Sequence, residues 1–551
     1  MTPWERFVGL LQLDKRDIKQ IFYYAIFAGL VALSLPLGIQ AIVNLIQGAQ
    51  ISSSWIVLVV LVTLGVAFQG ALQLMQIRIL ENIQQKIFTR SSFEFAFRFP
   101  KIKASELHNY YPPELANRFF DTLTVQKGLS KILIDFPAAF LQIIFGIILL
   151  SFYHPFFIVY GALLVLLIYV VFKFTAEKGL ETSLLESKSK YKVANWIQEI
   201  ARSLISFKLS GNTKLAMERN DKYTTAYLEA RESHFKILLL QFVQMIGFKI
   251  LVTAGLLIIG GLLVLNQQMN IGQFVAAEII ILLVIASVEK LIAGLETFYD
   301  VLTSLEKIGQ VVDKELEPQE GINPFKIDQP LKIELENVTY TTSDGINLLK
   351  NISFNVGEKE CWLLEGSSGS GKTTLLKLLS GIIFPTAGSL YINNRSIVGI
   401  WTNVYRSRIG QVLPEQHPFE GSILENITFG DETISRDHIN EVLENLGLLT
   451  FVKRQPNGLR TMLYPEGQQI PYTIAKRILL ARAIVHKPRL LLLKDPLEHF
   501  EAADAAAIIN YLTDKNKPWS IIVATNNPLW KKHAVRTLKL EKGTLKTDKD
   551  A

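Results

Sequence analysis

Apolar residues are unevenly distributed along this chain. Over roughly the first 300 positions they form long uncharged runs, and over the last ~220 they mix with polar residues as in a globular domain. A helix needs ~20 apolar residues to cross ~30 Å of hydrocarbon. Six stretches reach that length, at about residues 21–46, 55–74, 132–152, 155–174, 237–265 and 271–302, the last becoming amphipathic. Six crossings put both termini on one side of a bilayer. The connections at about 80–130 and 175–235 carry apolar residues at three- and four-residue spacing, so the spanning helices are predicted to continue beyond the hydrocarbon.

Charge decides which side the termini occupy. The short connections "QGAQISSS" (from Gln47), "YHP" (from Tyr153) and "NQQMNIG" (from Asn266) contain no Lys or Arg, whereas the long ones are rich in both. Positive residues stay cytoplasmic, which places the termini inside. The 551 residues are 49% hydrophobic, too apolar for an ordinary soluble protein, and the net charge of +7 is modest for this length. That charge reads as basic membrane-protein loops and not as nucleic-acid binding. A single cysteine, Cys361, excludes an intrachain disulfide and lies in an apolar stretch, as a small buried hydrophobe does. The N-terminal segment is amphipathic and charged, unlike a signal peptide. Glu278, inside "FVAAEIIILLVIA", is an ionisable group in an apolar run. Such a group is a functional candidate, with a helix–helix hydrogen bond or a headgroup-level position as the alternative.

The polar stretch "DKELEPQEGINPFKIDQP" (from Asp313) reads as a linker. It divides the chain into an all-α six-span transmembrane domain (1–312), a linker (313–330) and an α/β P-loop nucleotide-binding domain (331–551). In the last of these, "CWLLEGSSGSGKTTLLKLLSG" contains G-x-x-x-x-G-K-T, formed by Gly366, Ser367, Ser368, Gly369, Ser370, Gly371, Lys372 and Thr373, with Thr374 following. An apolar strand precedes it and an apolar helix follows, the context this motif requires. Glycines let the backbone wrap phosphates with N–H groups pointing inward, and the helix N-terminus adds its positive dipole. ATP is the expected ligand, with Lys372 reaching the β and γ phosphates and Thr373 as the candidate Mg²⁺ ligand.

Six spans with short outer loops followed by such a domain resemble a half-transporter of the ATP-binding-cassette exporter family. "IDFPAAFLQIIFGIILL" (from Ile134), "GGLLVLNQQMNIGQFVAA" (from Gly260) and "PPELANRFFDTL" (from Pro112) resemble the type I secretion branch, whose members export proteins or peptides. With a lead of about 20 residues before the first span, the peptidase-like domain that some branch members carry is not expected here. The resemblance implies a location in the bacterial inner membrane among its lipids and a dimer, homomeric or with another half-transporter. It adds a periplasmic adaptor as a further candidate partner. It also implies two shared ATP sites, each closed by one chain's phosphate loop and the other chain's signature motif.

The remaining motifs of that family are altered. In "ENVTYTTSDG" the adenine-stacking position is Thr342, and Tyr340, two residues earlier, is the candidate substitute, with core packing as its other role. A gapless count puts the Mg²⁺-sensing glutamine at Pro414, with Gln416 close by. The signature, expected near L-S-G-G-Q, reads Ile470, Pro471, Tyr472, Thr473 and Ile474, just before the helix "KRILLARA". Pro471 removes an N–H and Tyr472 adds bulk where small residues should meet a phosphate. In "PRLLLLKDPLEHF" the metal-ordering Asp position is Lys494 and the catalytic Glu position is Asp495. One carboxylate remains where two are needed, and Asp495 is the candidate base. The γ-phosphate-sensing histidine is replaced by Asn526.

Exchanging Asp for Lys alters the local charge by two units. Each is worth about 4 kcal/mol at ~4 Å and an effective dielectric of ~20. Mg²⁺ binding is therefore disfavoured, and the Lys494 ammonium is expected to assume part of the metal's electrostatic role, unless it bends away to solvent or pairs with Asp495. Fold-forming features survive and chemical groups do not. The expectation is an ATP-binding exporter subunit of impaired hydrolysis that moves a peptide, protein or amphipathic substrate outward. The alternative is a catalytically dead, nucleotide-gated scaffold of a secretion assembly.

Overall fold

The computed structural model describes residues 1–47, 53–108, 110–326 and 329–546. It divides into two compact units, Met1–Pro100 with Asn109–Lys314, and Lys101–His108 with Glu315–Ala551.

The first unit is helical. Thr2 opens it with a capping box on helix Pro3–Leu13, its hydroxyl accepting from Glu5 N while the Glu5 carboxylate accepts from Thr2 N. Six helical stretches are long and apolar enough to cross a membrane: Lys15–Gln47, Ser53–Lys101, Pro112–Ser151, Phe156–Arg202, Leu215–Leu265 and Ile271–Val312. They correspond to the six predicted spans. The first is broken at Leu33, between helices Lys15–Ala32 and Ser34–Gln47. That break leaves Pro36 in the first turn of the second helix, where a missing N–H costs nothing. Helices Ser53–Arg98 and Phe156–Arg202 hold 46 and 47 residues. Each is about 70 Å long, more than twice the hydrocarbon thickness, so the predicted helical extensions are present. Of the connection "QGAQISSS", residues 48–52 lie outside the described residues, as do 327–328 of the linker.

Small residues let the third and sixth spans approach closely. A Cβ on Gly128 would lie 2.2 Å from Val301, one on Gly146 2.7 Å from Val284, and one on Gly294 2.2 Å from Phe136. These pairs run in opposite order along the two helices, which are therefore antiparallel. Asn270 caps the sixth span with Gln273 in a second capping box.

The second unit contains strands β1 (Ile333–Thr341), β2 (Asn347–Val356), β3 (Cys361–Glu365), β4 (Ala387–Ile392), β5 (Arg395–Ser396), β6 (Ile409–Val412), β7 (Gly421–Ser422), β8 (Met462–Leu463), β9 (Leu490–Lys494), β10 (Ser520–Ala524), β11 (Arg536–Glu541) and β12 (Thr544–Lys546). One sheet has the order β12-β11-β3-β10-β9-β6, and a second, antiparallel sheet has the order β2-β1-β4-β5. Strands β11, β3, β10, β9 and β6 are mutually parallel, with β12 antiparallel at the edge.

Both faces of the parallel sheet are covered, so its strands are continuously apolar rather than alternating. Leu363, Leu491, Leu493, Ile521 and Val523 pack into one core cluster. Trp362, Leu364, Leu490, Leu492 and Ile522 pack into the other. The segment Lys101–His108 joins this unit by pairing with the start of the linker. Lys103 N donates to Glu315 O at 3.0 Å, and Glu317 N donates to Lys101 O at 2.7 Å.

Gly410 on β6 sits against helix Tyr472–Val485, and a Cβ there would lie 1.9 Å from the Ala483 carbonyl oxygen. Gly410→Ala is expected to destabilise this unit by about 1–3 kcal/mol through overpacking, read as a lower midpoint in thermal unfolding of the full chain.

Candidate functional site

Parallel strands deliver their carboxyl ends to one edge of a sheet. Strand β3 ends at Glu365 and the chain turns through Gly366–Gly371 into helix Lys372–Leu379. Gly366, Gly369 and Gly371 have φ of +154°, +77° and +103°. A Cβ on Gly366 would lie 2.3 Å from the Leu540 carbonyl oxygen, so only glycine fits there. The β11–β12 turn supports the loop from behind, with Gly543 N donating to Ser370 O at 3.1 Å. Ser367, Ser368 and Gly369 are exposed or nearly so, Ser370 is buried, and Thr373 and Thr374 stand on the first helical turn. The buried Lys372 ammonium donates to the carbonyls of Gly366 and Ser367, the latter at 2.7 Å. Loop amides, helix N-terminus and centred lysine form a cradle that fits a chain of phosphates.

Strand β9 ends beside it. Lys494 is paired with Ala524 of β10, and Asp495 N donates to Ala524 O at 3.0 Å. Asp495 has φ +42°, in the left-handed region that non-glycine residues seldom adopt. The Lys494 ammonium, only 17% exposed, donates to the Asp495 carboxylate. Lys494 also acts on the phosphate loop. Burial holds the Lys372 ammonium below its usual range, the Lys494 charge pushes it further down, and Asp495 opposes both.

This arrangement does not fit Mg²⁺. An ammonium stands where a carboxylate would order the metal's water shell, and the remaining carboxylate already accepts a charge-assisted hydrogen bond. Thr373 remains on the helix as the one hydroxyl at the expected metal position.

The other sequence-predicted residues are placed as follows. Tyr340 pairs with Leu349 across β1 and β2 and packs against the core beneath the antiparallel sheet. Gln416 folds onto its own loop, its Oε1 accepting from Leu413 N at 3.1 Å. Asn526 follows β10 and is exposed, while its neighbour Asn527 caps the next turn by accepting from Leu529 N at 3.0 Å. The edge thus gathers the phosphate loop, Lys494 and Asp495.

A cluster that sequence reasoning does not assemble lies around the altered signature. Pro471 precedes helix Tyr472–Val485, and Ile470 and Ile474 pack on the core. The Tyr472 hydroxyl donates to Glu498 at 3.0 Å, and its ring meets His499 edge-on with centroids 5.6 Å apart. Lys476 Nζ lies 5.4 Å from the Tyr472 ring centroid. Burial first, then the Glu498 carboxylate, pushes the Tyr472 phenol up to about 12. Lys476 is lowered by burial, with Glu498 and Asp495 pulling it back up. The altered signature is thereby tied to the loop following β9 within one chain. The unusual Tyr at a glycine position is the signal that sequence offers, but it does not name the partner.

Comparison with known proteins adds family matches, two relatives and a solved structure. Residues 20–288 match the family described as ABC transporter transmembrane region, and residues 349–498 match the family described as ABC transporter. A putative export ATP-binding/permease protein of Rickettsia bellii is 25% identical over 428 residues, covering 76% of this chain and 74% of that protein. The alpha-hemolysin translocation ATP-binding protein HlyB of Escherichia coli O157:H7 is 27% identical over 332 residues, covering 60% of this chain and 46% of that protein. A solved bacterial Atm1-family ABC exporter with ATP bound matches with a TM-score of 0.86 at 16% identity, covering 97% of this chain and 94% of that one. At that identity the likeness is one of fold.

Lys372→Ala is expected to weaken ATP binding by about tenfold to a hundredfold, the worth of charge-assisted hydrogen bonds to phosphate. Titration of a fluorescent ATP analogue into the purified chain measures it, with Tyr472→Phe expected to bind like the parent.

Proposed function

The chain belongs to the ABC transporter family, and from that premise we propose that it is an ATP-binding exporter subunit of impaired hydrolysis. It resides in the inner membrane of a bacterium with both termini cytoplasmic and works as a dimer, with itself or with a second half-transporter. Its cargo is a peptide, protein or amphipathic molecule, in keeping with the export and translocation names of its relatives.

The observation that carries the reading is the contrast along one sheet edge. The phosphate cradle around Lys372 is complete, while the next strand but one ends in a Lys494–Asp495 ion pair. The attacking water loses its base, because Asp495 is engaged by its neighbour, and the Lys494 ammonium becomes a second cation for the triphosphate only on leaving that pair. Nucleotide binding then needs no divalent ion, and hydrolysis is slow.

The scaffold reading, in which nucleotide gates an assembly without transport, draws on the Tyr472–Glu498 hydrogen bond. That contact occupies the signature segment within its own chain.

Phosphate release from the full chain in lipid nanodiscs is expected to stay near background with Mg²⁺ and ATP. ATP affinity is expected to be equal within about threefold in Mg²⁺ and in EDTA. Rapid Mg²⁺-dependent turnover overturns the reading, and a tenfold or greater loss of affinity in EDTA overturns the role given to Lys494. A Lys494→Asp, Asp495→Glu double substitution is expected to restore metal dependence of binding.

A further inference from the structure

Four helices of the first unit line an open cavity of about 460 Å³. Helix Lys15–Ala32 contributes only alanine and glycine to its wall. Helix Ser53–Arg98 contributes Gln69, Gln73 and Gln76, helix Asp121–Ser151 contributes Asp135 and Gln142, and helix Ile271–Val312 contributes Ser287 and Lys290. These positions are scattered over more than 200 residues of sequence, and packing brings them to one place.

Some of these groups serve the fold. Gln76 Nε2 donates to the Ile21 carbonyl at 3.2 Å, and Gln142 Oε1 accepts from the Ser287 hydroxyl at 3.0 Å. Gln69, Gln73, Asp135 and Lys290 have no hydrogen bond or ion pair among the described residues. In the single chain Gln69 and Asp135 are half-buried, whereas Gln73 and Lys290 are exposed. The wall they form is therefore open to a solute, and an ionisable group on a membrane-spanning helix is by default a candidate for meeting one. The helix register shows why they do not meet each other. Phe136 stands level with Gly294 on the antiparallel sixth span. Asp135 and Lys290 are therefore offset by about 7 Å along the helices, at ~1.5 Å per residue.

The offset and the amides together define a ligand chemistry. About 7 Å is the length of two residues of extended peptide. An amide side chain carries the donors and acceptor that a peptide bond requires. Gln69 and Gln73 are one turn apart on one helix face, spaced about 6 Å, near the roughly 6.7 Å two-residue repeat of an extended chain. None of the lining side chains is aromatic, so the cavity offers no stacking face to a sugar or a flat drug. Its charges and amides are the wrong lining for a lipid tail. The volume lies in the range of small-ligand sites and is far too small for a folded protein.

We propose that this cavity is a substrate site for a short zwitterionic peptide of about two to four residues. Its ammonium faces Asp135, its carboxylate faces Lys290, and its amides bond to Gln69 and Gln73. This assignment rests on the export reading and narrows its cargo from proteins and amphipaths to a free oligopeptide.

Equilibrium binding to the full chain in nanodiscs tests it, with radiolabelled alanyl-glutaminyl-alanine as probe beside its N-acetylated and C-amidated forms. The free tripeptide is expected to bind, and each block is expected to weaken binding about tenfold or more. Asp135→Asn is expected to abolish the preference for a free amine alone, and Lys290→Gln the preference for a free carboxylate alone. Both variants are expected to bind ATP like the parent, which controls for folding. Equal binding of free and blocked forms overturns the proposal, as does absence of peptide binding while ATP still binds. Peptide binding with both charge preferences but without ATP binding supports the cavity assignment and overturns the nucleotide-driven reading.

Discussion

Hydrogen bonding of β10 between β3 and β9 sets what meets what in the nucleotide-binding unit. Because all three strands are parallel and in register, Leu364, Ala524 and Lys494 end at one level. The phosphate loop leaves from the first, Asn526 follows the second, and the Lys494–Asp495 pair closes the third. A one-residue slip would turn each side chain to the opposite face. The packing that prevents it is the double apolar cover of the sheet, with Leu490 and Leu492 on one side and Leu491 and Leu493 on the other. The chemistry at the edge thus depends on a core that remains intact.

That edge is cationic in an uncommon way. Lys372, Lys494 and Lys476 interact electrostatically with Asp495, Glu498 or one another. Three ammonium groups against two carboxylates suit a polyanion better than a divalent cation. The same balance is compatible with a phosphate ligand at an edge where Asp495 is held by Lys494. A phosphate chain replaces repulsion between lysines with attraction, whereas a metal would add to the repulsion. The Tyr472–Glu498 bond and the His499 ring complete a local network around Tyr472 within the chain.

The membrane unit follows a different logic. Close approach of the third and sixth spans at Gly128, Gly146 and Gly294 fixes their relative height. That height, and not direct contact, separates Asp135 from Lys290. Glu278, on the same sixth span, is half-buried and lies outside the cavity. The ionisable group that stands out in the sequence is therefore not among those gathered into the solute-sized space. Asp135 and Lys290 are inconspicuous in the sequence because each lies near the end of an apolar run, where a charge reads as a boundary.

The features legible in the sequence are those that depend on neighbours in the chain. Apolar run length predicts six spans, because crossing hydrocarbon is a matter of local length. Glycine and lysine spacing predicts the phosphate loop, because its turns use consecutive residues. The altered motifs are legible by counting from that loop and from "KRILLARA". Residues distant in sequence decide the rest. Whether Lys494 lies free or turns to Asp495 depends on the backbone at φ +42° and on the wall that β10 provides. Tyr340 has two candidate roles in the sequence, and the antiparallel sheet places it half-buried against the core. The convergence of Gln69, Asp135 and Lys290 needs three helices set at one height, a relation that no stretch of a single helix encodes. Sequence by itself determined the elements and the groups each carries, since propensity and hydrophobic length act along the chain. Tertiary packing alone decided which of those groups share a space, since charges and amides act through distance.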